Sequence, residues 1–149
     1  MSIIRITKQF TFEMAHALSD YDGLCQNIHG HSYHFDVTVK GIPNNDENSP
    51  KQGMLIDFKD LKKIVNEEII YPLDHALLLN HTMNTELILT LQKNYDKIVL
   101  FPFQPTTENL LMEFAQRLQK KLPSQVQLFS MKLRETYRSF AEWYAEDNL

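Results

Sequence analysis

The stretch 25-CQNIHGHSYHFDVTVKG-41 decides how this chain is read. It opens with the only cysteine of the 149 residues, places histidines at 29, 31 and 34, and runs into aromatic and β-branched positions. Tyr33, Phe35, Val37 and Val39 share one parity, and Ser32, His34, Asp36, Thr38 and Lys40 share the other. That alternation predicts a strand over 31–41 with one buried face. Carried backwards, the apolar parity reaches His31 and then His29. Upstream, residues 3–16 read the same way. Ile4, Ile6, Phe10, Phe12 and Met14 lie on one face opposite Arg5, Thr7, Gln9, Thr11 and Glu13, and the apolar face ends on His16. If the two strands form an antiparallel hairpin, the end of the first lies beside the start of the second. His16, His29 and His31 then converge at one edge of one face, and His34 points to the other. Gly30 removes a side chain between two of the imidazoles, although it also permits a bulge that would break the parity.

Three neutral imidazoles with a free fourth position are the donor set of a catalytic zinc site. An H-x-H pair alone reads equally well as polar strand surface; His16 at the matching strand end favours the metal. The lone Cys25 is either a small core residue or, beside such a site, a nucleophile or base.

Working outward, 42–53 (IPNNDENSPKQG) is a loop dense in turn residues. Asp57 is placed to cap a helix carrying Phe58, Leu61, Ile64, Val65 and Ile69 at helical spacing, which Pro72 closes. Residues 105–122 predict a second helix with Leu110, Leu111, Phe114, Leu118 and Leu122 on its apolar face and Thr106 or Thr107 as cap. Short strands are expected over 96–101, 126–135 and 140–146. In the strand over 126–135, Phe129, Met131 and Leu133 share a face that continues to Glu135. A carboxylate at the end of an apolar face is costly unless paired. It is either a strand end emerging into solvent or a group awaiting two donors from a ligand. Asp74 and His75 adjoin after the first helix, where a carboxylate can orient an imidazole; His81 reads as surface. Strands before and after two helices predict an α+β layer, an antiparallel sheet with two helices on one face.

The length suits one domain, 1–149. No apolar run approaches a membrane span and no secretory leader is seen. A net charge of −4 argues against a nucleic-acid surface. One cysteine permits no intrachain disulfide, and the expected compartment is the cytoplasm.

With FTFEMAH, CQNIHGHSYHFDVTV, GMLIDF, LDHALLLN, PTTENL and LRET in this order, the chain resembles the 6-pyruvoyltetrahydropterin synthase superfamily, and within it the 6-carboxytetrahydropterin synthase branch. The motifs span most of residues 10–136; residues 82–104 carry none. The resemblance implies the tunnelling fold (T-fold), with subunits joined as trimers stacked into hexamers and active sites between subunits. It implies His16, His29 and His31 as zinc ligands and Cys25 as proton acceptor, with Asp74 and His75 as its relay partners. It also implies Glu135 as the pterin anchor and Thr106 and Thr107 as pocket residues. The implied substrate is 7,8-dihydroneopterin triphosphate, and the implied products are 6-carboxytetrahydropterin, acetaldehyde and triphosphate on the way to queuosine. Three residues separate Cys25 from His29, a spacing that resembles the carboxy-forming branch; pyruvoyl-forming members have a longer one. Two other readings stand beside this one. One is a 6-pyruvoyltetrahydropterin synthase that stops at triphosphate elimination. The other is a non-catalytic module in which Cys25 closes a structural zinc site. A zinc hydrolase is disfavoured, because no Glu adjoins the histidines as in H-E-x-x-H.

Overall fold

The alternating stretches do form a hairpin. In the computed structural model, which describes residues 1–149, β1 (Ile4–His16) and β2 (His29–Gly41) pair antiparallel without interruption from Ile4 opposite Gly41 to His16 opposite His29. Gly30 sits opposite Ala15 with no bulge, so parity holds through the histidines, and β2 starts two residues earlier than expected. Phe10, Phe12, Met14, Tyr33, Phe35, Val37 and Val39 are buried, while Thr11, Glu13, Ser32 and His34 are exposed.

Asp57 caps α1 (Phe58–Val65) by accepting the Lys59 amide at 2.9 Å. The helix runs on through a π-helical segment (Asn66–Ile70) into a last turn, α2 (Tyr71–Leu73). It therefore ends one residue beyond Pro72, at Leu73, with the extended Asp74 as its cap. There follow β3 (Ala76–Asn80), α3 (Thr85–Asn94), β4 (Ile98–Phe101), α4 (Thr107–Lys121), β5 (Gln127–Thr136) and β6 (Ser139–Tyr144). Leu61, Val65, Ile69, Leu110, Phe114 and Leu118 are buried against the inner face of the hairpin, and the Phe114 ring meets Phe35 edge-on at 5.3 Å.

The six strands lie in the order β4-β3-β1-β2-β5-β6. The layering is α+β as expected, but the sheet is mixed, since β3 runs parallel to β1 and β4 parallel to β3. The run ALLLN has no alternation because Leu78 and Leu79 are both fully buried, so periodicity alone does not mark it as a strand. A third helix, α3, also appears, with Ile88 its only buried residue and hence little periodic signal. A further difference concerns Phe129. Pairing between β2 and β5 slips a residue here, with Thr38 opposite Ser130 and Val39 opposite Leu128. Leu128 takes the core position, and Phe129 moves to the other face beneath the Arg5 guanidinium, 4.2 Å from its ring centre. Met131 and Leu133 keep the predicted face.

Candidate metal centre

Hairpin register sets the centre. His16 and His29 are direct partners across β1 and β2, and His31 lies opposite Met14 on the same face. The fourth member arrives from β5. Past Arg134 that strand no longer pairs with β2, and against β6 it is bulged, with Arg134 opposite Phe140 and Thr136 opposite Ser139. Glu135 is the extra residue, and a bulge re-aims a side chain in this way. Its Oε1 lies 3.0 Å from His31 Nε2 and 3.3 Å from His16 Nε2. One donor atom from each of His16, His29, His31 and Glu135 lies within 4.8 Å of the others.

Second contacts determine which ring nitrogen faces inward. His16 Nδ1 is 2.7 Å from the Pro105 carbonyl, and His29 Nδ1 is 2.7 Å from the Asn27 carbonyl. A carbonyl only accepts, so both Nδ1 atoms carry the proton and donate it, leaving each neutral ring an Nε2 lone pair. Those two Nε2 atoms sit 3.0 Å apart. Two lone pairs at that distance repel unless a cation or a proton lies between them. His31 Nε2 is buried and, despite the nearby carboxylate, makes no hydrogen bond of acceptable geometry. A tetrahedral zinc shell separates its nitrogens by roughly 3.3 Å, so the donor set fits such an ion. Burial holds the His31 imidazole below its ordinary pKa, with His16 and His29 adding to the shift and Glu135 opposing it. The contact with His16 holds the Glu135 carboxyl below its usual range against the effect of burial.

A cavity of about 1070 Å³ opens where β5 leaves β2; Glu135, His31 and Gly30 border it at the edge of the centre, and Gln9, Thr11, His34, Lys132 and Arg134 wall it on the sheet face opposite the imidazoles. Thr106, the N-cap of α4, accepts the Asn109 amide at 3.2 Å and directly follows the Pro105 carbonyl that holds His16; Thr107 is buried beside it. His34 is exposed on the opposite face, and His81 is exposed.

Cys25 is exposed, so it is not a core filler. It sits in a short 3-10 turn (Leu24–Gln26), tied to the metal end of the hairpin by the Leu18 amide, which donates to its carbonyl. The group of potential ligands contains Glu135 and not Cys25, which disfavours the structural Cys-His₃ reading. Asp74 and His75 do pair, Oδ2 to Nδ1 at 3.0 Å. Burial pushes the Asp74 carboxyl up, but the Glu13 amide, His75 and the Lys97 charge together hold it below its usual range. His75 is left-handed (φ 63°), a conformation that costs a non-glycine residue roughly 1–2 kcal/mol. It borders a shallow cavity with Glu13, Ala15, Gly30 and Ser32, of opposite parity to the imidazoles, and with Met14 and His31. Within this chain no hydrogen bond or ion pair joins the dyad to Cys25.

A mixed sheet with helices packed on its inner face and a His₃ cluster closed by a carboxylate define an α+β protein with a candidate metal centre. The profile of one family, described as 6-pyruvoyl tetrahydropterin synthase, matches residues 5–146, and the chain belongs to that family. It is 38% identical over 143 residues to a 6-carboxy-5,6,7,8-tetrahydropterin synthase of Haemophilus influenzae, covering 95% of this chain and 99% of the relative. It is 32% identical to a 6-pyruvoyl tetrahydrobiopterin synthase of Pongo abelii, covering 95% and 92%. Among solved structures, the 6-pyruvoyl tetrahydropterin synthase of Caenorhabditis elegans superposes with a TM-score of 0.68 at 23% identity, covering 97% of both proteins. The chain is an enzyme, a lyase of this family. No helix is long and apolar enough to cross a membrane.

Proposed function

We propose that this protein, as a single domain over 1–149, is a zinc-dependent lyase acting on 7,8-dihydroneopterin triphosphate. The products are 6-carboxytetrahydropterin, acetaldehyde and triphosphate, and the reaction serves queuosine and related 7-deazaguanine synthesis in the cytoplasm. The observation that carries this reading is the set of inward-facing Nε2 atoms closed by Glu135 beside an open cavity. The names of the relatives and the three-residue spacing between Cys25 and His29 support the carboxy-forming outcome over the pyruvoyl one.

His16, His29 and His31 hold the ion through Nε2, with the Pro105 and Asn27 carbonyls fixing two of the rings. Bound zinc acts as a Lewis acid that acidifies C–H and O–H bonds in the substituent carried by the pterin ring. Glu135 accepts from the pterin amino group and ring N–H, a charge-assisted pair that sets which carbon faces the centre. Thr106 and Thr107 are assigned to the substrate pocket by the family resemblance. Cys25 takes the proton as thiolate. His75, oriented by Asp74, relays it, and the relay partners come from a neighbouring subunit of a trimer-based hexamer. The test is chemical. Purified protein, zinc and dihydroneopterin triphosphate should release acetaldehyde, read by its reduction with an alcohol dehydrogenase. Triphosphate release with a pyruvoyl product and no acetaldehyde would assign the pyruvoyl reaction instead, and neither product from folded, zinc-loaded protein would sink the pterin reading.

A further inference from the structure

The segment without a motif, 82–104, contributes a lysine to the turn that carries Asp74 and His75. Lys97 lies just before β4, and its Nζ donates to two carbonyls, Tyr71 O and Asp74 O, each at 2.7 Å. Those carbonyls belong to the last helical turn before the dyad and to its cap. Lys97 is also locked in place through its own backbone, since the Leu77 amide donates to its carbonyl at 2.9 Å. On the other side β1 grips the same turn. The Glu13 amide donates to Asp74 Oδ1 at 2.9 Å, and the His75 amide donates to the Glu13 carbonyl.

His75 needs such a clamp. Its side chain is 75% exposed, so packing does not hold the ring, and its backbone is left-handed. Its orientation rests on the Asp74 carboxylate and on the path of residues 74–75. An ammonium group against the final carbonyls of a helix satisfies acceptors that would otherwise face water and offsets the negative helix end. Its charge also stands close enough to Asp74 to favour the ionised carboxylate that accepts from His75 Nδ1.

We propose that Lys97 is a positioning residue for the Asp74–His75 pair: by bridging the Tyr71 and Asp74 carbonyls it fixes the turn on which His75 is presented. The inference rests on the role given to this pair under the proposed function. It also gives the segment 82–104 a purpose, because α3 and β4 bring Lys97 beneath the turn.

Lys97→Met keeps the length and removes the donors; Lys97→Arg restores both. In zinc-loaded wild-type protein, ¹⁵N NMR of the His75 ring, assigned by its loss in His75→Gln, should show the Nδ1–H tautomer. In Lys97→Met the ring should become a tautomer mixture. The kcat should fall roughly 10- to 100-fold, as expected when a reacting group loses its orientation. KM, zinc content and melting temperature should hold, and Lys97→Arg should recover the signal and the kcat. An unchanged His75 signature with wild-type kcat in Lys97→Met overturns the proposal. So does a kcat loss that arginine does not rescue or that tracks a loss of folded protein. If even the wild type fails to turn over the pterin, the proposed function fails, and the tautomer comparison still decides the place of Lys97.

Discussion

His16 and His29 face each other with Nε2 atoms 3.0 Å apart, while the Nδ1 of each is committed to a carbonyl. Replacing His16, His29 or His31 by Ala removes one of three donors, and each variant should lose most of its zinc by metal analysis. His34→Ala, on the opposite sheet face, should keep it. Zinc lost from His34→Ala but kept in His16→Ala would refute the parity assignment. Glu135 is the group whose role needs separating, since it touches both His16 and His31. As a substrate anchor, Glu135→Gln exchanges one acceptor oxygen for a donor. Substrate affinity should fall roughly 10- to 100-fold, the worth of a hydrogen bond to a charged group, with full zinc content. Coincident loss of zinc would make the carboxylate a fourth ligand.

Two elements share the work of holding His16: the strand that carries it and the helix start that presents Pro105. Thr106 caps α4 through the Asn109 amide, so the cap also steadies the carbonyl one residue earlier. Thr106→Ala should cost about 1 kcal/mol in urea unfolding of the metal-free protein, the usual worth of such a cap. Zinc affinity, measured by chelator competition, should fall about tenfold as the support of His16 loosens. Thr106→Ser keeps the hydroxyl and should restore both. Affinity unchanged in the alanine variant would mean that Pro105 is held by other contacts.

For the whole molecule, one chain supplies Cys25 at the metal end of the hairpin and the Asp74–His75 pair beside a shallow cavity that His31 also borders, with no hydrogen bond or ion pair between the thiol and the dyad. Both Cys25 and His75 are exposed, as suits groups that complete a site between copies. Cys25→Ala and His75→Ala should each lower kcat by roughly 10²- to 10⁴-fold, the scale of proton-transfer catalysis. Unfolded together and refolded as a mixture, the two variants should regain about a quarter of wild-type activity, because sites between copies then pair an intact thiol with an intact dyad. A mixture no more active than either variant alone would place the whole relay within one protomer.

Much of this protein follows from the sequence by itself. Period-two alternation in 3–16 and 31–41 sets the buried face, and because strand parity persists, it carries His16, His29 and His31 to one edge. The cap at Asp57 was equally legible, and that of α4 down to Thr106 or Thr107, since capping is a contact between near neighbours. Tertiary structure decided the rest, wherever the cause is non-local or leaves no period. β3 is buried on both faces and shows no alternation, so its parallel pairing with β1 and β4 emerges only from packing. The bulges at Phe129 and Glu135 depend on what β2 and β6 offer opposite them, and each turns a side chain that simple parity would misplace or leave unaimed. The Pro105 carbonyl reaches His16 across 89 residues and Lys97 reaches Asp74 across 23, and no local pattern encodes such meetings. They exist because hydrophobic burial of the sheet and helices brings those backbone groups together, and polar groups left there must find partners.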